Sequence, residues 1–265
     1  MTTETFGDLL RGWRQARRLS QLELATVAEV SQRHLSFLET GRSAPSREMV
    51  IHLTTALRAP LRDRNAWLIA AGFAPIYSEQ GLDEPAMEQI RHMLELILAA
   101  HEPFPAYVID RAWNLVLTNQ AAGALTTRLV DPGAAALFGG NVMRLSLHPE
   151  GLRRHLVNWE QAASTLLDRL QRETAERPTD GSLAALLDEV RTYPGVADLS
   201  DRLPLPSGTD LLVPLHLRIE GNDLKLFTTI ATIGAPYDVT LEELRLETLF
   251  PMDAGSEIML RSFSV

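Results

Sequence analysis

No cysteine occurs among the 265 residues. Disulfides, thiolate metal sites and cysteine catalysis are therefore excluded. Lysine is almost missing too: Lys225 is the single one, and arginine carries the rest of the positive charge. No apolar run approaches the roughly eighteen residues of a membrane span. HExxH, a Gly-rich phosphate loop and Gly-x-Ser-x-Gly are absent, so the common metalloprotease, nucleotide and esterase chemistries find no footing. His148 and His155 stand seven apart with Pro149 between them, and Glu242-Glu243 fall in an exposed-looking turn. The histidines read as isolated surface or core residues. No catalytic or metal site is expected, and the chain is not expected to be an enzyme. The N-terminus is polar and carries no signal-peptide pattern, so a cytoplasmic location is expected.

What is present describes a globular protein, with 45% hydrophobic and 22% charged residues. The length suits one large domain or two ordinary ones. The net charge of −9 is unevenly placed. Residues 1–72 hold ten Arg against seven acids, whereas the remainder holds 15 basic against 27 acidic residues. A basic head on an acidic body suits a nucleic-acid-binding unit joined to one that does not bind nucleic acid.

The stretch from Ser20 to Arg42 organises the head. Ser20-x-x-Glu23 is a capping box, which predicts a helix from Gln21. Leu24 and Ala28 mark its buried face, and Ala25 is small enough for a second helix to come close. Ser31 is an N-cap for a helix running from Gln32 to about Thr40, with Leu35 and Leu38 inward and Gly41 as its stop. The other face offers Gln32, Arg33, Ser36 and Phe37, with Ser31 at the tip. Gln or Arg at the start of such a helix can make paired hydrogen bonds to a base edge, worth about 1–3 kcal/mol of discrimination each. Gln21 and Arg42 fall where phosphates would pass. Arg17 and Arg18, at the end of an amphipathic first helix over 5–17 (Phe6, Leu9, Leu10, Trp13), are further phosphate candidates.

Ser20-Gln21-x-x-Leu24-Ala25…Val30-Ser31-x-x-x-Leu35-x-x-Leu38-Glu39-x-Gly41-Arg42 resembles the Xre-type helix-turn-helix of lambda-type phage repressors. The resemblance implies that Gln21, Gln32, Arg33, Ser36 and Phe37 face DNA, and that Thr40 and Arg42 contact its backbone. It also implies that Glu39 pairs with an arginine of the first helix, Arg14. The chain departs from the family at Glu29, where the inter-helix turn usually has Gly. A non-glycine residue held left-handed there costs roughly 1 kcal/mol. Two more helices, one capped by Ser46 and one over 61–71 ended by Gly72, complete a five-helix all-α head.

Residues 76–86 read as a linker. Ile90, Met93, Leu94, Ile97, Leu98 and His101 then predict an amphipathic helix over 86–100, which packs on the following domain, forms a dimer interface or acts as a lever. From Pro105 strands begin: Ala106–Asp110, a turn at Arg111-Ala112, Trp113–Thr118, then Asn119 capping a helix. That order is how a PAS-type sensor domain begins. A long helix is expected over 150–175 and another over 182–192. Alternation predicts a strand from Leu211 to Ile219, another over Leu224–Ile233 after a turn at Gly221-Asn222, one over Leu246–Phe250 and a short last one at Ile258–Leu260. Thr240-x-x-Glu243 resembles a capping box. The body is therefore α+β, an antiparallel sheet with helices on one side.

Arg111–Ala121 (RAWNLVLTNQA), Asn141–Leu145 (NVMRL), Trp159 and Asp238–Leu241 (DVTL) extend the resemblance to the MmyB-like regulators, which are bacterial, mostly actinomycete, transcription factors. The head departs from many of them, which carry Pro-Gly-Leu-Arg-Arg where this chain reads Arg18-Leu19-Ser20-Gln21. The resemblance implies a DNA-binding head over 1–75, a linker and connecting helix over 76–101, and a PAS-like ligand-binding body over 102–265. The implied protein works at the nucleoid as a homodimer on a double-stranded DNA operator, away from membranes. Its ligand would be a small apolar metabolite such as a fatty acid, in place of any resident cofactor. Tyr107, Trp113, Leu115, Leu117, Phe138, Trp159, Leu215 and Phe227 are candidate pocket residues. Arg153, Arg154, His148 and Asn119 are equal candidates for a polar anchor. The alternative reading is a helix-turn-helix module that binds another protein and no operator.

Overall fold

The computed structural model describes residues 4–177, 180–199 and 212–263. The chain divides into two compact units. The first comprises Met1–Gln80 with the later segments Ala175–Asp180 and Ala235–Glu242. It contains α1 (Phe6–Ala16), α2 (Gln21–Val27), α3 (Gln32–Glu39), α4 (Arg47–Ala56) and α5 (Leu61–Ala70). Thr5, Ser20, Ser31 and Ser46 cap the first four with side-chain oxygens, and Thr5 and Ser20 complete capping boxes with Asp8 and Glu23. Leu10, Trp13, Leu24, Leu35, Leu38, Leu53, Trp67 and Leu68 meet in one core. The edge of Trp67 meets Phe6 and Trp13 at centroid distances of 5.6 and 6.5 Å.

All five helices end alike, on a residue at positive φ: Arg18, Glu29, Gly41, Arg58 and Gly72. After α2, Glu29 N–H bonds to Thr26 O and Val30 N–H to Ala25 O, the paired closure that satisfies the last carbonyls of a helix. Glu29 (φ 50°) does this without glycine, as the sequence anticipated. Arg18 and Arg58 do it as well, without a glycine to announce them.

The second unit is built on a five-stranded antiparallel sheet in the order β2-β1-β5-β4-β3. Its strands are β1 (Ala106–Ile109), β2 (Leu115–Thr118), β3 (Leu215–Ile219), β4 (Asn222–Thr232) and β5 (Arg245–Pro251). Its helices are α6 (Glu88–Ala100), α7 (Gln120–Leu129), α8 (Val142–Leu147), α9 (Trp159–Glu176), α10 (Gly181–Arg191) and α12 (Ala254–Phe263); the short α11 (Val239–Glu243) comes just before β5. The α+β, PAS-like expectation holds. On α6, Leu94 and Leu98 are buried, whereas Met93, Leu96 and Ile97 stay exposed.

Four local expectations fail, each for a visible reason. The helix over 150–175 is interrupted: Leu152–His155 is a 3-10 turn and α9 starts at Trp159. Between them the backbone pairs with the β3 region, Val157 N–H bonding to His216 O at 2.8 Å and Asn158 clasping Pro214 O and His216 N–H. Trp113 is not in β2 but in the preceding turn, at φ 68°. Ile258–Leu260 lies in α12, where Asp253 accepts from Ser256 N–H and starts a helix that a three-residue apolar run cannot reveal. The helix expected from a Thr240 cap begins two residues earlier, at Val239, with Asp238 accepting from Leu241 N–H. Of the strand expected from Leu211, the part from Leu215 forms, and Leu211 itself lies outside the described residues.

Candidate DNA-reading helix and ligand cavity

Helix α3 is held from behind. Leu35 and Leu38 are fully buried. Glu39 is buried beside them and accepts from Arg14 Nε at 2.6 Å, Arg14 Nη2 at 3.1 Å and Gln21 Nε2 at 2.8 Å. Burial alone would raise the Glu39 carboxyl, but the hydrogen bonds and charges of Arg14, with Gln21 and Arg11, hold it below its ordinary value. Arg11 also donates to Glu39 O at 2.9 Å, which fixes the end of α3 against α1. Gly7 makes this approach possible. A Cβ there would meet Glu39 O at 2.7 Å and Leu38 O at 2.9 Å, closer than side chains tolerate. Sequence reasoning missed Gly7, because the neighbour it admits is far away in the chain.

In front, Ser31, Gln32 and Arg33 are exposed and Ser36 and Phe37 half-exposed. Arg33 lies over the Phe37 ring, 5.3 Å from its centroid, so the guanidinium is steadied on the outward face. Arg17, Arg18, Thr40 and Arg42 are exposed around it. Thr40 spends its hydroxyl on Ser36 O at 2.8 Å. Gln21 is half-buried and gives its amide to Glu39, so this side chain also braces α2 against α3.

The second unit holds a cavity of about 490 Å³ between one sheet face and its helices. That volume lies within the usual range for small-molecule sites. The sheet contributes Tyr107, Leu115, Thr118, Leu215, Leu217, Thr228, Ile230, Glu247 and Leu249. Helix α7 adds Ala122, Leu125, Thr126 and Leu129; α8 adds Val142, Leu145 and Ser146; α9 adds Ala162, Thr165, Leu166 and Arg169. Trp113, Phe138 and Phe227 also line it, although the Phe227 ring stacks on Phe250 at 5.2 Å.

Leu117, Asn119, His148 and Trp159 are not among the lining residues. Leu117 is displaced by a bulge. Ile109 pairs with Leu115 and Val108 with Leu117, so Val116 is the extra residue, and Leu115 and Leu117 take opposite faces. Asn119 is consumed structurally: its Oδ1 accepts from Ala106 and Ala122 N–H, and its Nδ2 donates to Phe104 O and Leu98 O. His148 lies between the rings of Phe138 and Tyr193, at 5.6 and 5.1 Å. Trp159 carries Arg153 over its ring at 4.3 Å.

One end of the cavity is polar, and the sequence did not announce it. Tyr107 Oη donates to Glu247 Oε2 at 2.9 Å, and Arg169 Nη1 lies 2.7 Å from Glu247 Oε1. Arg169 Nε donates to Glu173 Oε1 at 3.1 Å, Trp113 Nε1 donates to Glu173 Oε2 at 2.9 Å, and Arg245 pairs with Glu173. Both guanidinium groups lie over the Trp113 ring, at 4.3 and 4.8 Å. Burial, and then the Glu247 charge, push the Tyr107 phenol well above its usual value, so it stays a donor. The spacing 162, 165, 166, 169 on α9 was the available signal: a second inward stripe beside Ala163, Leu167 and Leu170, which belong to the neighbouring core.

A helix-turn-helix unit and a sheet-and-helix unit around an apolar cavity define a two-part protein of the regulator class. The family model described as "MmyB-like transcription regulator ligand binding domain" matches residues 90–263, and that described as "Helix-turn-helix domain" matches residues 5–67. The chain belongs to the MmyB-like transcription regulator ligand binding domain family. Over 61 residues it is 39% identical to proteins called "Transcriptional regulator ClgR" from two strains of Mycobacterium tuberculosis, CDC 1551 / Oshkosh and ATCC 25618 / H37Rv. The match covers 23% of this chain and 54% of each of those proteins, so the chain spans about half the length of the curated relatives it matches.

Proposed function

We propose that the chain is a sequence-specific DNA-binding transcriptional regulator whose body holds a small apolar ligand, of which a fatty acid is the model case. Residues 1–75 serve as the DNA-binding head, 76–101 as linker and connecting helix, and 102–265 as the ligand-binding body. Gln32 and Arg33, with Ser31, Ser36 and Phe37, read base edges, while Arg17, Arg18, Gln21, Thr40 and Arg42 position the head on the phosphate backbone. The observation that carries this reading is the outward Arg33, steadied on Phe37 at the front of a helix whose back is locked by Glu39. The uncovered Met93, Leu96 and Ile97 of α6 support a homodimer, which would address two half-sites about 34 Å apart. The apolar cavity supports the ligand, because each methylene buried there gains about 0.8 kcal/mol. A ligand alters DNA affinity only if it prefers one arrangement of the dimer over another. A gel shift against the DNA upstream of the chain's own gene tests the reading: a discrete shifted band supports it, and no shift at any protein concentration leaves the protein-binding module in its place.

A further inference from the structure

Among the described residues the cavity wall carries two charged ones, Arg169 and Glu247, and these face each other at 2.7 Å. Arg169 is also bonded to Glu173, which is itself shared with Arg245. Among the described residues, the polar end is therefore a set of two cations and two anions, with no uncompensated charge on the wall. Around it the wall is made mainly of leucines, alanines and aromatic rings. Even so, Arg169 keeps part of its side chain exposed: Nε is spent on Glu173 and Nη1 lies 2.7 Å from Glu247 Oε1, which among the described residues leaves the Nη2 donors. Among the described residues the site offers donors but no net positive charge.

We infer that the ligand of this cavity is an uncharged amphiphile: an apolar chain ending in a neutral hydrogen-bond acceptor, such as an ester, amide or ketone carbonyl, received by Arg169. This rests on the reading that the cavity binds an apolar ligand, and it narrows that reading. A carboxylate entering the cavity must give up its water, and the cation it would meet is already neutralised by Glu247 and Glu173. A carbonyl accepts the same N–H bonds without bringing a charge. A fatty acid would enter in its protonated form.

The test uses the full chain and displacement of the neutral dye Nile red, with thermal stabilisation as a second readout. Methyl decanoate, decanoate and decane are compared at pH 7.5. The ester should bind at least about tenfold more tightly than the carboxylate. Decanoate affinity should rise about tenfold per pH unit of acidification above the acid's own pKa. Arg169→Met should bring the ester down to the affinity of decane, while decane binding is kept. If that variant does not fold, the wild-type comparison decides alone. Carboxylate binding equal to or tighter than ester binding at pH 7.5 overturns the headgroup inference and leaves the apolar cavity standing. Failure of all three compounds, with Leu166→Trp leaving dye binding unchanged, overturns the ligand reading itself and this inference with it.

Discussion

Arg14 grips Glu39 with two nitrogens, Nε to Oε1 at 2.6 Å and Nη2 to Oε2 at 3.1 Å, across two helices that are separate in sequence. The Glu39 side chain is 1% exposed and that of Arg14 is 11%. Removing the acid leaves a nearly buried cation unpaired. Glu39→Ala should therefore destabilise the helical unit by about 3 kcal/mol, read from denaturant melts. The pair also has a pH signature. The folded carboxyl lies below its unfolded value of about 4.3, so its contribution is complete above that pH and lost as pH falls through the folded value. The stability gap between wild type and Glu39→Gln should narrow as pH drops below about 4; a constant gap would show that the charge is not what matters.

Gly7→Ala places a methyl 2.7 Å from Glu39 O. The end of α3 must give way, at about 1–3 kcal/mol. Gly12→Ala is the control on the same helix, because nothing lies within 4 Å of a Cβ there. Equal melts for the two variants would contradict the close approach.

Glu29 closes α2 in the left-handed region at φ 50°. Glycine there would relieve about 1–2 kcal/mol of strain, of which its freer unfolded chain takes back about 0.5–1. Glu29→Gly should stabilise by roughly 0.5 kcal/mol, while Glu29→Ala, which keeps the Cβ, should gain nothing. A gain from alanine equal to that from glycine would assign the effect to the lost charge instead.

Tyr107→Phe deletes the donor to Glu247 Oε2 and leaves a buried carboxylate short of a partner. A cost of about 1–3 kcal/mol is expected in urea melts of the purified chain. No loss of stability would mean that the polar end of the cavity is looser than the 2.9 Å bond implies.

The helical unit was the more legible half because its signals are local. Ser20, Ser31 and Gly41 bracket their helices by side chain or backbone chemistry within four residues, and Leu24, Leu35 and Leu38 repeat at helical spacing. The positive-φ endings at Arg18 and Arg58 were not readable, since nothing about arginine announces them. In the body, the hairpins β1–β2 and β3–β4 could be read from their turns, but the central place of β5 could not, because it joins β1 and β4 from far along the chain. The cavity was half legible. Its aromatic and leucine residues could be named, but the Val116 bulge reversed Leu117, and the break at Leu156–Asn158 came from pairing with β3. Arg169 and Glu247 were overlooked because each looks like an ordinary surface charge until the other stands 2.7 Å away.

The account rests on α3 reading DNA, and one comparison tests this most directly. Wild type and Arg33→Ala are titrated by fluorescence anisotropy, at one fixed salt concentration, onto a duplex selected from a random library and onto its scrambled form. Wild type should prefer the selected duplex, and Arg33→Ala should lose about 1–3 kcal/mol on it while binding the scrambled duplex nearly as before. Equal losses on both duplexes would make Arg33 a phosphate contact, and a wild type indifferent to sequence would contradict the account.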